Sequence, residues 1–149
     1  MSYGRKGTVG MLDATDRRIL ELLRQDARRQ HKDIGEQVHL TGQAVGARIR
    51  KLEEAGIIEG VTLKVNPAKL GLAVSALITV YMKTTSSHSS FQQWVLQQPG
   101  IAEAHRVSGE GCYWLHAHTS DHEELNRLLD ELLRYGNYKV QISIGQIKG

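Results

Sequence analysis

The sequence predicts an α+β chain in two parts, an N-terminal winged helix-turn-helix followed by a ferredoxin-like βαββαβ domain. Three observations carry this expectation. Apolar residues recur at spacings of three and four up to Leu52, the period of helices, whereas alternation by two, the period of strands, sets in at Leu72. Pro67 and Gly71 punctuate the change. Charge divides at the same place: residues 1–71 hold 13 Lys and Arg against 9 Asp and Glu, a balance of +4, and residues 72–149 hold 6 against 7, a balance of −1. A basic front and a near-neutral rear suit different partners. The expected organisation is a flexible tail over 1–11, the helix-turn-helix over 12–65, a linker over 66–71, and the βαββαβ domain over 72–149.

In the front half, Leu12–Gln25 reads as a helix with Asp13 as its N-cap, Asp16 three residues later, and Ile19, Leu22 and Leu23 as its buried stripe, which Ala27 continues. Arg28 and Arg29 join Arg24 in a positive cluster, whose side chains are either solvated or in contact with phosphate. A shorter helix over Lys32–His39 turns Ile34, Gly35 and Val38 inward. Thr41 is suited to cap the next helix, in which Val45, Ile49 and Leu52 share one side. Two short helices joined this tightly after a longer one form a tri-helical helix-turn-helix.

The outer face of that third helix is slim, basic and almost free of carboxylates. Gln43, Ala44, Ala47, Arg48, Arg50 and Lys51 fall largely outside the apolar stripe. A helix entering a DNA major groove needs short side chains where backbones approach, and Arg or Gln where base edges and phosphates are reached. The expected DNA-binding set is therefore Thr41, Gln43, Ala44, Ala47, Arg48, Arg50 and Lys51, with Arg28 from the cluster behind. Gly46, mid-helix, costs about 1 kcal/mol relative to Ala and so marks a packing or close-approach site. Gly56 is suited to a left-handed helix end. Gly60–Asn66 alternates like a strand and is expected to pair near the N-terminus or form a wing presenting Lys64.

From Leu72 to Lys83 the chain reads as a strand apolar on both sides, with Val74, Ala76, Ile78, Val80 and Met82 opposite Leu77, Thr79 and Tyr81. A helix capped by Ser86 or Ser87 follows, burying Phe91, Trp94 and Val95 before Pro99 and Gly100. Ile101–Ser108 and Cys112–Thr119 read as antiparallel strands joined through Gly109–Gly111. Asp121 or Ser120 caps a helix with Leu125, Leu128, Leu129, Leu132 and Leu133 on one stripe, and Tyr138–Ile147 supplies a last strand with Val140, Ile142 and Ile144 alternating. This order is a split βαβ unit with both helices on one face of a four-stranded sheet. The other face carries Leu77, Trp114 and His116, and covering it with a second copy predicts a homodimer.

Other chemistry finds little support. Cys112 is the only cysteine, so an intrachain disulfide is excluded and a cytoplasmic setting expected. No apolar run reaches the roughly 20 residues of a membrane span, and no signal-peptide pattern follows the start. His105, His116, His118 and His122 with Cys112 invite a metal reading, but His116 and His118 lie about 7 Å apart along a strand, a spacing that does not itself close a tetrahedral site. No base stands at a recognisable spacing from Cys112, and Asp13 and Asp16 are explained as helix-start residues. Neither a metal nor a catalytic site is expected.

Leu12-Asp13, Asp16, Ile19-Leu20, Leu23, Asp26 and Arg28, followed by Leu40-Thr41, Val45, Arg48, Leu52-Glu53, Gly56-Ile57-Ile58, Asn66-Pro67 and Leu70-Gly71, resemble in order and spacing the Lrp/AsnC family of bacterial and archaeal transcription regulators. The resemblance implies double-stranded DNA as partner, and dimers assembling to tetramers or octamers that bend or wrap DNA. It also implies an amino-acid effector held near the Gly-rich turn, which here is Gly109, Glu110, Gly111 and Cys112, and near Thr119 at the end of the third strand. Apart from such an effector it implies no cofactor. Cys112 stands where members often have aspartate, which keeps open an alternative: an effector-independent architectural DNA-binding oligomer.

Overall fold

Side chains cap the starts of the α-helices throughout except at His31–Val38, whose N-cap Gln30 makes no side-chain capping bond. The computed structural model describes residues 12–148, and the tail expected over 1–11 lies outside them. In α1 (Ala14–Gln25), Asp13 accepts from the Asp16 N–H at 2.7 Å while Asp16 accepts from the Asp13 N–H at 3.3 Å, a reciprocal capping box. α2 (His31–Val38) ends on His39 in the left-handed region at φ 58°. α3 (Gly42–Glu54) starts under Thr41, whose Oγ1 accepts from the Ala44 N–H at 3.1 Å. α3 stops in a Schellman arrangement: the Gly56 N–H donates to Glu53 O and the Ile57 N–H to Leu52 O, each at 2.9 Å, with Gly56 at φ 71°.

Ile19, Leu22, Ile34, Val45 and Ile49 form the core of this part, with Leu23, Val38, Leu40 and Ile58 packed on it. Each fully buried aliphatic contributes about 1.5–3 kcal/mol of transfer free energy. Ala27 is exposed rather than on the apolar face, because α1 stops at Gln25 and Asp26 turns extended. Residues 59–66, expected as a strand or wing, form neither helix nor strand among the described residues. The chain divides into two compact units, Met1–Lys64 and Val65–Gly149.

The second unit opens with a single 3-10 turn, Pro67–Leu70, closed by Gly71. Then come β1 (Val74–Met82), α4 (His88–Leu96), β2 (Ile101–Arg106), β3 (Tyr113–Thr119), α5 (His122–Leu132) and β4 (Gly136–Ile142). The sheet order is β2-β3-β1-β4, all neighbours antiparallel, which is the expected βαββαβ arrangement. Ser87 caps α4 and Asp121 caps α5.

Registers Ala76↔Ala117, Ile78↔Leu115 and Val80↔Tyr113 set one apolar face. Phe91 of α4 and Leu125, Leu128, Leu129 and Leu132 of α5 cover it. Leu133, expected on the same stripe, is 40% exposed. It is the cap residue after α5, and its carbonyl instead accepts from Lys83 Nζ at 2.6 Å. β4 starts two residues earlier than expected and its register ends at Ile142, opposite Ala76, with one further hydrogen bond from the Ser143 N–H to Ser75 O at 2.8 Å. Ile144 and Ile147 beyond it are fully exposed. No helix among the described residues is long and apolar enough to cross a membrane.

Candidate functional site

The turn between α2 and α3 is held by shape. A Cβ on Gly35 would lie 2.3 Å from the Leu40 carbonyl oxygen, so only glycine lets the chain fold back this closely. The Leu40 N–H donates to Gly35 O at 3.0 Å and closes the turn. With the core side of α3 fixed by Val45, Ile49 and Leu52, the opposite side exposes Gln43, Arg50 and Lys51, with Ala44 and Ala47 half-buried between them. Gln43, Ala47 and Arg50, at i, i+4 and i+7, make one stripe, and Ala44 and Lys51 lie on the adjoining one. Thr41 is exposed at the helix start with its hydroxyl in the cap. Arg28 is exposed, and its N–H donates to Asp26 Oδ1 at 2.9 Å.

Two residues of α3 differ in role from what their type suggested. Gly46 is buried, and a Cβ there would meet His31 Nδ1 at 3.1 Å. The space is filled by the first residue of α2, so this glycine serves helix packing. Arg48, expected at DNA, turns to α1, where its Nη1 donates to Asp13 Oδ2 at 2.6 Å and Asp16 Oδ1 at 2.8 Å. That hydrogen bond, followed by the one from the Asp16 N–H, holds the Asp13 carboxyl below its ordinary range. Nothing local in the sequence signals a partner more than 30 positions away.

In the second unit, the β2–β3 turn is pinned at Gly111. Its φ is 80°, and a Cβ would lie 2.6 Å from Thr79 Cγ2 and 3.0 Å from Val80 O. Gly109 also has positive φ. Glu110 reaches across β1, accepting from Tyr81 Oη at 2.6 Å and from Lys139 Nζ. The Lys139 hydrogen bond, then that of Tyr81, lowers the Glu110 carboxyl, while Glu110 raises the Lys139 ammonium and the Tyr81 hydroxyl. A depression here is lined by Thr79, Glu110, Lys139, Val140 and Gln141. Tyr81 and Lys139 were missed as site residues; the alternation of β1 and β4 places them on one face only once the register is known.

Cys112 is half-buried and packs against the helix-covered core; its N–H donates to Val80 O at 2.7 Å. Thr119, expected at the end of the third strand, closes β3. It is 2% exposed on the helix-covered face, donates to Asp121 O at 3.0 Å, and lies at the end of β3 opposite the turn. Six residues of strand put it about 20 Å from the turn.

The sheet face away from the helices carries Leu77, Trp114 and His116 together. Trp114 lies between the rings of His105 and His116, with centroids 5.7 and 6.1 Å away, and His116 stands 4.4 Å from His118. Ser75 Oγ and His116 Nε2 share a 2.8 Å hydrogen bond. Burial of the charged form, then the neighbouring His116, lowers the pKa of His118. Among the described residues, no group of three or more His, Cys, Asp or Glu is placed to hold a metal ion.

Comparison with known proteins aligns both units. Residues 12–53 match the AsnC-type helix-turn-helix domain and residues 75–149 the Lrp/AsnC ligand binding domain. The chain is 42% identical over 137 residues to the HTH-type transcriptional regulator LrpB of Bacillus subtilis, covering 92% of this chain and 91% of that one. LrpA of the same organism is 36% identical, over 91% of this chain and 100% of its own length. Among solved structures, B. subtilis LrpC superposes with a TM-score of 0.86 at 28% identity, covering 92% of this chain and 97% of that one. A Neisseria meningitidis transcriptional regulator, NMB0573, in complex with L-Met superposes with a TM-score of 0.87 at 26% identity, covering 93% of each chain.

Proposed function

The chain belongs to the Lrp/AsnC family of transcriptional regulators, and from that premise we propose that it recognises operator DNA through the outer face of α3 as a homodimer closed over its open sheet face. The observation that carries this reading is the surface of exposed Gln43, Arg50 and Lys51, with half-buried Ala47 between them, standing opposite a filled apolar core. Gln43 reads base edges, the small side chains of Ala44 and Ala47 admit close approach, and Arg50, Lys51 and Arg28 contact phosphate. A symmetric dimer presents two such helices to major grooves about 34–36 Å apart. Further assembly to tetramers or octamers raises the effective concentration of the helices along one duplex, which favours bending or wrapping.

An amino acid is the effector we assign to the depression beside Gly109–Gly111. Glu110 and Lys139 supply the opposite charges that an α-ammonium and an α-carboxylate require, and the N. meningitidis relative was solved with L-Met. The second reading, an architectural oligomer that needs no effector, is favoured by the way Glu110, Lys139 and Tyr81 already satisfy one another and Cys112 packs on the core.

Retardation of a duplex carrying the chain's own upstream region, together with mass in solution with and without each amino acid, tests these readings. Binding plus a change of mass with one or a few amino acids is expected. Binding with no response to any of them would select the architectural reading, and no binding by the folded oligomer would refute both.

A further inference from the structure

The capping box of α1 has a third member. Asp13 and Asp16 each give one oxygen to the other's backbone N–H, and each turns the remaining oxygen to a single nitrogen, Arg48 Nη1, contributed by α3. All four carboxylate oxygens are thereby used. The side chain of Asp16 is 18% exposed, that of Arg48 33% and that of Asp13 50%, so the Arg48–Asp16 pair is screened less than an ordinary surface pair.

Arg48 points along the side of α3 that meets α1, away from the stripe shared by Gln43, Ala47 and Arg50. Removing its guanidinium would leave two carboxylates uncompensated next to a surface that must approach a polyanion. It would also free α3 from the most rigidly capped point of α1.

We propose that Arg48 is a positioning residue for DNA recognition, clamping α3 to the N-terminus of α1 and cancelling Asp13 and Asp16, and that it makes no contact with DNA. This inference rests on the DNA-binding reading above. It separates Arg48 from Arg50 and Lys51, residues of the same charge on the same helix. Phosphate contacts release counterions and set the salt dependence of binding, whereas an internal clamp does not.

The test is a double-mutant cycle in DNA affinity, measured over a range of salt on the upstream duplex and on an unrelated one. The proteins are wild type, Arg48→Ala, Asp13→Asn with Asp16→Asn, and the triple variant, with Arg50→Ala in parallel. Asn retains the N-cap, and matched far-UV circular dichroism at the assay temperature shows that each variant is folded. Arg48→Ala is expected to weaken binding to both duplexes by on the order of tenfold in the wild-type background and to cost little once the two carboxylates are gone. Its plot of log K against log salt keeps the wild-type slope, while that of Arg50→Ala becomes shallower by about 0.9. A slope lowered by Arg48→Ala as much as by Arg50→Ala, or an equal cost in both backgrounds, would overturn the proposal. Failure of the wild type to bind either duplex would overturn the DNA-binding reading and the positioning role with it.

Discussion

Gly35 and Gly46 are both buried helix glycines, yet their surroundings predict opposite outcomes on substitution. A methyl group at Gly35 meets the Leu40 backbone carbonyl in the tight helix-turn-helix turn, while one at Gly46 meets an imidazole able to rotate. Gly35→Ala should cost about 1–3 kcal/mol. Gly46→Ala should stay within about 1 kcal/mol of wild type, since the helix propensity gained offsets the moved ring. Urea unfolding of the two variants checks this. Asp13 predicts the acid response. Its folded-state pKa lies below the ordinary 3.8, so its contribution to stability is complete above that value and is lost as pH falls through the lower folded value. Asp13→Asn should flatten the fall in stability of the first unit below about pH 4, read by circular dichroism during acid titration. Of the residues chosen from sequence, the caps Asp13 and Thr41 were legible because capping is local. The partners of Arg48 and Thr119 were not, because each is set by chain geometry beyond its own helix or strand.

At the scale of elements, periodicity identified every helix and strand of the βαββαβ unit, and the misplacements fall at ends. The alternation Val140, Ile142, Ile144 runs past the end of β4, where Ile144 is fully exposed, and Leu133 is exposed because a helical stripe does not record where its helix stops. The open face of the sheet carries the consequence for assembly. Leu77→Asp should leave the helix-covered core intact, since Leu77 points away from it, and convert the proposed dimer to monomer, which light scattering would show; an unchanged mass would contradict a dimer contact on this face. Acid should lower the folding stability of this unit. Burial lowers the folded pKa of His118 on that face, so its contribution is present above the ordinary value of 6.5 and declines as pH falls below it. His116 faces it along β3 and Glu103 from β2, and Ser75, opposite it on β1, carries no charge.

For the whole molecule, the division of charge, +4 over residues 1–71 and −1 over 72–149, matches the proposed division of labour in which the first unit meets a polyanion and the second meets copies of itself. The matched family gives both units a place in one regulator. The central claim is that the outer face of α3 reads DNA, and its direct test is the affinity of Lys51→Ala and Gln43→Ala against wild type on the upstream duplex and an unrelated one across a range of salt. Lys51→Ala should weaken both duplexes alike and reduce the salt slope by about 0.9, whereas Gln43→Ala should keep the slope and narrow the preference between duplexes. Wild-type affinity and slope in both variants would contradict the claim.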